Sequence, residues 1–172
     1  VTGVDAGSAN VDVATAHALL DNTLAQKITY RAAAAETLLH ENAAFDAVCS
    51  LEVIEHVSDP DAFVRCLSGL TEHNGAVVVS TLNRTARAGA LAIAVAERVF
   101  RWVPPGTHEF GKFVTPAELS TLAARAGLET REMAGMAYTP PLPGRGNGAT
   151  GGRWKLTPDD LGVNYIDTAR NY

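Results

Sequence analysis

The sequence predicts an α/β fold, a sheet covered by helices on both faces. Three observations carry this. Strand and helix signals alternate along the chain, and the strands are continuous apolar runs, as expected where both faces of a sheet are buried. Acidic or polar residues also stand directly after the strands, where ligands gather in open α/β sheets. The 172 residues fit one domain, which would bury roughly two-thirds of its unfolded surface, and neither an internal repeat nor a second domain is visible.

Residues 1–5 (VTGVD) are apolar and end at an acid. Ser8 suits the N-cap of a helix running to about residue 20, with Val11, Val13, Ala14 and Ala18 as its apolar face. Residues 27–30 form a short strand, and residues 32–39 continue as a turn or helix. FDAVCSL, residues 45–51, is a compact apolar strand. Asp59-Pro60-Asp61 opens a helix to about residue 71, because proline is tolerated in a first helical turn. His73-Asn74-Gly75 reads as a turn before a buried strand, AVVVSTL, at 76–82. A helix of mixed character follows over about 85–103. Thr115-Pro116-Ala117-Glu118 has the spacing of a capping box, and Gly127 closes that helix. Residues 128–136 and 163–169 read as strands, and the Pro- and Gly-rich residues 140–152 as a loop.

The 47% hydrophobic and 19% charged content excludes wholesale disorder. A net charge of −5 gives no electrostatic reason to expect nucleic acid as a partner. Cys49 and Cys66 lie in or beside apolar stretches without a second pair at metal spacing, so both read as buried thiols in a reducing compartment. No run approaches the ~18 apolar residues needed to cross a bilayer. Val1–Asp5 reads as the middle of a strand, so a chain cut inside a domain is expected.

Three polar features follow strands. Asp5, with Gly7 and Ser8 starting a helix, is placed either to accept both hydroxyls of a ribose or to cap that helix. Glu52, Glu55 and His56 follow FDAVCSL and share one face if the stretch turns helically. Two carboxylates and an imidazole suit a hard divalent ion such as Mg²⁺. The plainer alternative gives His56 a backbone carbonyl and leaves the glutamates solvated. Asn83-Arg84-Thr85 faces a substrate or caps the next helix.

Residues 88–103 (AGALAIAVAERVFRWV) combine apolar positions at helical spacing with Arg98, Arg101 and Trp102. That pattern suits a helix lying in a membrane interface, or a lid on the protein's own core. The turn after it carries His108, a candidate general base because imidazole titrates near neutral pH, or a satisfied loop histidine.

FDAVCSLEVIEHVSDPDAF, followed by STLNRTARAGALAIAVAERVFRWVPPGTHEFGKFVTPAEL and GRWKLTPDDLGVNYI, resembles the O-methyltransferases of ubiquinone biosynthesis. The likeness covers almost the whole chain. EVIEHV is common to many methyltransferases, whereas STLNRT with the amphipathic segment and VPPGTHEFGKF is much more specific.

The resemblance implies a class I methyltransferase (Rossmann-like) fold and S-adenosylmethionine as methyl donor. It places Asp5 on the ribose hydroxyls, Leu51 beside the adenine, and Glu52, Glu55 and His56 on a divalent ion, with residues 85–113 as an inserted amphipathic helix and loop. Family members have a strand and glycine-rich loop before the segment matching Val1–Asp5, so the first central strand of the sheet is expected to be missing. The implied substrate is a membrane-embedded polyprenylated catechol or quinol, methylated on a ring hydroxyl. Expected partners are an anionic membrane surface and other ubiquinone-biosynthesis proteins. The expected location is the matrix side of the mitochondrial inner membrane, or the membrane-associated cytoplasm of a bacterium. A methyltransferase of a small soluble substrate and a non-catalytic scaffold are the alternatives.

Overall fold

A computed structural model describes residues 1–91, 106, 109–139 and 153–172. The chain divides into two compact units, Val1–Ala44 and Phe45–Tyr172.

In the first unit β1 (Thr2–Asp5) pairs in parallel with β2 (Thr29–Ala32), Thr2 opposite Thr29 and Asp5 opposite Ala32. The crossover carries α1 (Ser8–Ala18) and the short α2 (Asn22–Ala25), and α3 (Ala35–His40) follows β2. Gly7, not Ser8, occupies the N-cap of α1, and no side chain caps that end. Ala18 is buried and Val11 and Ala14 are half-buried, whereas Val13 is exposed. The reason is angular: Val11, Ala14 and Ala18 share a helix face at i, i+3 and i+7, and Val13 stands on another.

The second unit is a five-stranded sheet in the order β3-β4-β7-β5-β6, formed by β3 (Phe45–Leu51), β4 (Thr71–Leu82), β5 (Leu128–Thr139), β6 (Arg153–Thr157) and β7 (Asn164–Asn171). β3 and β4 are parallel, and β7 runs antiparallel to both β4 and β5. Among the described residues β1 pairs with β2 alone and β3 with β4 alone, so each has one unpaired edge. Residues 73–75, expected as a turn, lie within β4. Asn74 takes a left-handed φ of 64°, and the pairing with β3 shifts register between Phe45 and Ala47, so the strand absorbs the irregularity as a bulge.

The helices are set by local chemistry. Asp59 caps α4 (Pro60–Gly69) by accepting the Ala62 N–H at 3.0 Å. Thr85 caps α5 (Ala86–Gly89) through the Ala88 N–H at 3.0 Å. Thr115 and Glu118 form the full capping box of α6 (Pro116–Arg125), and Gly127 (φ 79°) closes it. Of Asn83-Arg84-Thr85, expected to face a substrate or to cap the next helix, Thr85 is the cap, and Asn83 is buried and donates to the Leu161 carbonyl at 2.8 Å. Cys66 is buried as expected, but Cys49 is exposed because it lies on the edge strand β3.

Both faces of this sheet carry buried residues, Ser80, Leu82 and Ala134 on one and the following set on the other. Val77, Val79 and Thr81 of β4 stand beside Ala169, Asp167 and Tyr165 of β7, and all six are buried. Phe63, Val64 and Leu67 of α4 and Leu119 and Ala123 of α6 are buried with them, and Leu82, Ala88 and Phe113 form a further buried cluster. Tyr165, fully buried, donates to the Val114 carbonyl at 3.1 Å, which ties the sheet to the start of α6.

Asp167 is the costly member. It is 3% exposed, and among the described residues Oδ2 accepts only a long 3.3 Å bond from Thr130 Oγ1 while Oδ1 has no partner. Burial pushes its carboxyl up to about 6, against the bond from Thr130. A carboxyl raised in the folded state favours folding fully below its unfolded value, near 4, and this is lost as pH rises through 6. The expected result is that wild type loses about 3 kcal/mol relative to Asp167→Asn between pH 4 and pH 7. Urea unfolding of both proteins across that range reads the difference, and parallel pH profiles would remove Asp167 as its source.

Candidate active site

Asp5 ends β1 at its carboxyl edge. Its Oδ1 accepts the Gly7 N–H at 2.7 Å and Asn10 Nδ2 at 3.1 Å, while Oδ2 has no hydrogen bond among the described residues. The carboxylate is thus held by one oxygen and offers the other. This separates the two sequence readings: Asp5 braces the loop before α1, yet keeps acceptor capacity for the vicinal hydroxyls of a ribose. Asn10 was missed from sequence, although its place on the first turn of α1, five residues after Asp5, is the signal that would find it. A Cβ on Gly7 would meet Asp5 Oδ1 at 3.1 Å and Asn10 Nδ2 at 3.3 Å, so a small residue preserves this arrangement.

Leu51 ends β3 and is 56% exposed, a large apolar side chain presented at a strand's carboxyl end. Glu52 follows in a left-handed conformation, φ 55°, with its N–H donating to the Ser80 carbonyl at 3.0 Å and its Oε1 accepting from Ser80 Oγ at 2.7 Å. The helical stretch is therefore only a 3₁₀ turn, Ile54–His56. Glu52 lies outside it, so Glu52, Glu55 and His56 do not share one helical face as the spacing predicted. Glu52 turns back onto β4, Glu55 is buried beneath the sheet, and His56 is exposed.

Glu55 is 3% exposed, Oε2 accepts Thr81 Oγ1 at 2.8 Å, and Oε1 has no partner among the described residues. That oxygen fits one ligand of a hard cation. Among the described residues, however, no three His, Cys, Asp or Glu side chains gather to hold a metal ion. His108 and residues 92–103 of the amphipathic segment lie outside the described residues.

A cavity of about 950 Å³ opens in the second unit between the 3₁₀ turn, the start of α4 and α6. Ile54, Phe113 and Leu122 give it apolar walls, and Glu55, Arg84 and Glu118 line it with charge. Arg84 and Glu118 are ion-paired, and the Thr115 N–H holds the Glu118 carboxyl below its ordinary value. The size suits a substituted aromatic ring.

An acid ends a parallel strand here with a helix starting three residues on, an arrangement found in nucleotide-binding α/β folds. The family model for a methyltransferase domain matches residues 1–133, and the chain belongs to that family. It is 48% identical over 166 residues to the Ubiquinone biosynthesis O-methyltransferase, mitochondrial, of Arabidopsis thaliana, covering 96% of this chain and 48% of that protein. It is 42% identical to the Ubiquinone biosynthesis O-methyltransferase of Azorhizobium caulinodans, covering 96% of this chain and 60% of the relative. The chain thus spans about half to three-fifths of the length of these curated relatives. A solved SAM-dependent methyltransferase of Methanosarcina mazei is 15% identical, with a TM-score of 0.61, covering 99% of this chain and 81% of that one, and shows the shared fold.

Proposed function

We propose that the protein transfers a methyl group from S-adenosylmethionine to a ring hydroxyl of a polyprenylated catechol or quinol in ubiquinone biosynthesis. The observation that carries the donor half is Asp5, held by Oδ1 with Oδ2 free to accept a ribose hydroxyl. The names of the two relatives support the acceptor half. Bound S-adenosylmethionine supplies an electrophilic methyl on a sulfonium, and in-line displacement then depends on aligning the acceptor oxygen. Leu51 presents an apolar surface that suits the adenine.

On the acceptor side, the cavity's apolar walls take the ring. Glu55 lines the cavity, and its buried Oε1 can accept the ring hydroxyl's hydrogen bond, and so orient the oxygen that receives the methyl, once the lining shifts to expose it. His108 is the second proton acceptor that the sequence offers. Mg²⁺ held by Glu52, Glu55 and His56 belongs to this reading only if Glu52 leaves Ser80 so that the three side chains converge. Mn²⁺ titration followed by electron paramagnetic resonance tests it: binding weakened by Glu55→Gln supports the site, and binding unchanged by Glu55→Gln removes it. The insert, residues 85–113, and an anionic membrane surface belong to the same reading, as do other ubiquinone-biosynthesis proteins as partners. So does a place on the matrix side of the mitochondrial inner membrane or, in a bacterium, on the cytoplasmic face.

Acceptor preference tests the proposal. With one S-adenosylmethionine concentration, kcat/KM is expected to be at least about tenfold higher for a prenylated dihydroxybenzoate in vesicles than for the unprenylated acid, because the apolar tail adds binding. A preference for the soluble acid would instead assign a small-molecule methyltransferase.

A further inference from the structure

We propose that the β5–β6 ribbon is a lipid-docking edge, with Tyr138, Trp154 and Leu156 entering the headgroup–acyl boundary of an anionic bilayer and Arg153 and Lys155 engaging its headgroups. This rests on the reading of a membrane-held acceptor and names the element that meets the membrane.

The register places this ribbon at the site's edge of the sheet. β4 and β5 both run antiparallel to β7, so they are parallel to each other. Leu82, the last residue of β4, pairs with Asn164, while Gly135 of β5 pairs with the next residue, Tyr165. Met136 is therefore level with the end of β4, and Tyr138 with its partner Trp154 projects past the sheet's carboxyl edge. Ligands of open α/β sheets collect on that edge.

The exposed chemistry is that of an interfacial anchor. Trp154 is 63% exposed, Leu156 58% and Tyr138 44%, and the Tyr138 and Trp154 rings lie 5.1 Å apart. With period-two alternation, Tyr138, Trp154 and Leu156 share one face with Met136, while Lys155 and Arg153 occupy the alternate positions. Trp and Tyr favour the headgroup level, and nearby Lys and Arg are drawn to anionic lipid. β6 holds no acid in a chain of net charge −5. Asp160, beyond the strand's far end, is paired with Arg87.

A second copy is the other candidate occupant, because among the described residues β6 has an unpaired edge. Two-fold antiparallel pairing across the middle of β6 would set Lys155 of one copy directly against Lys155 of the other. Like charges across a strand pair oppose pairing, and lysine on an edge strand blocks it. The charge therefore favours lipid.

The test uses Trp102→Phe protein, in which Trp154 is the only tryptophan. With phosphatidylglycerol vesicles, Trp154 emission is expected to shift to the blue and to be quenched by brominated acyl chains. Phosphatidylcholine vesicles should do much less. Trp154→Ser with Leu156→Ser should lower partition onto anionic vesicles about tenfold, and Arg153→Glu with Lys155→Glu should abolish the preference for anionic lipid. Both pairs lie on an exposed strand and should keep the parent's thermal midpoint and S-adenosylmethionine affinity. Unshifted, unquenched Trp154 emission would overturn the proposal, as would partition equal to the parent's. Loss of a dimer in sedimentation, with lipid partition unchanged, would assign the edge to a second copy. Failure of the parent to bind S-adenosylmethionine would sink the functional reading, whereas quenching of Trp154 reports on the ribbon alone.

Discussion

Gly135→Ala is expected to lose about 3 kcal/mol of stability, through overpacking against backbone that has no room to move. A Cβ at position 135 would lie 1.7 Å from the Asp160 carbonyl oxygen and 2.7 Å from its carbon. Gly135 is paired on both sides, to Thr157 of β6 and Tyr165 of β7, so β5 cannot swing away. Asp160 is pinned in turn: its Oδ1 accepts the Gly162 N–H at 3.0 Å, and both carboxylate oxygens accept from Arg87, whose hydrogen bond holds that carboxyl below its ordinary value. The urea midpoint should fall by about 1–2 M. Gly111→Ala is the control, because nothing lies within 4 Å of its added Cβ. Equal midpoints for the two variants would show that the approach of Asp160 to Gly135 is relieved at little cost.

Asp5→Ala is expected to weaken S-adenosylmethionine binding by at least about 100-fold. A hydrogen bond to a charged group is worth about 1.5–3 kcal/mol, and the ribose offers two hydroxyls. Asn10→Ala should cost less, about 3- to 10-fold, because it frees the Asp5 carboxylate to rotate but removes no ligand contact. In the Asp5→Ala background the Asn10 change should then have no further effect on affinity. Calorimetric titration of the four proteins reads this cycle. Additive losses would mean that Asn10 acts independently of Asp5, and an unchanged affinity for Asp5→Ala would place the ribose elsewhere.

What was legible in the sequence is what local chemistry decides. The Thr115–Glu118 capping box, the Asp59-Pro60 start of α4 and the apolar run of β3 each carry their signal within a few residues, and each formed as read. Long-range pairing decided what was missed. β6 is five residues, four of them exposed, and its alternation of Trp154 and Leu156 with Arg153, Lys155 and Thr157 is too short a signal to mark a strand without the pairing to β5. Residues 73–75 have turn chemistry, yet pairing with β3 keeps β4 continuous through Asn74.

The candidate site divides the same way. Asp5 was placed by its position after a strand, and its geometry keeps the ribose role open. The shared face assigned to Glu52, Glu55 and His56 presumed helical backbone from Glu52 onward. The left-handed φ at that residue breaks the premise, and Ser80 holds the side chain against β4. Thr81 and Ser80 select the orientations of the two glutamates, and those partners lie more than twenty residues away in sequence.

Product analysis tests the central claim most directly. The protein is incubated with S-adenosylmethionine carrying a trideuterated methyl and a polyprenylated catechol in anionic vesicles, and the extracted lipid is analysed by mass spectrometry. The account predicts one labelled methyl on a ring oxygen, in an amount matching the S-adenosylhomocysteine formed. Lipid that stays unlabelled while the protein binds S-adenosylmethionine would contradict it.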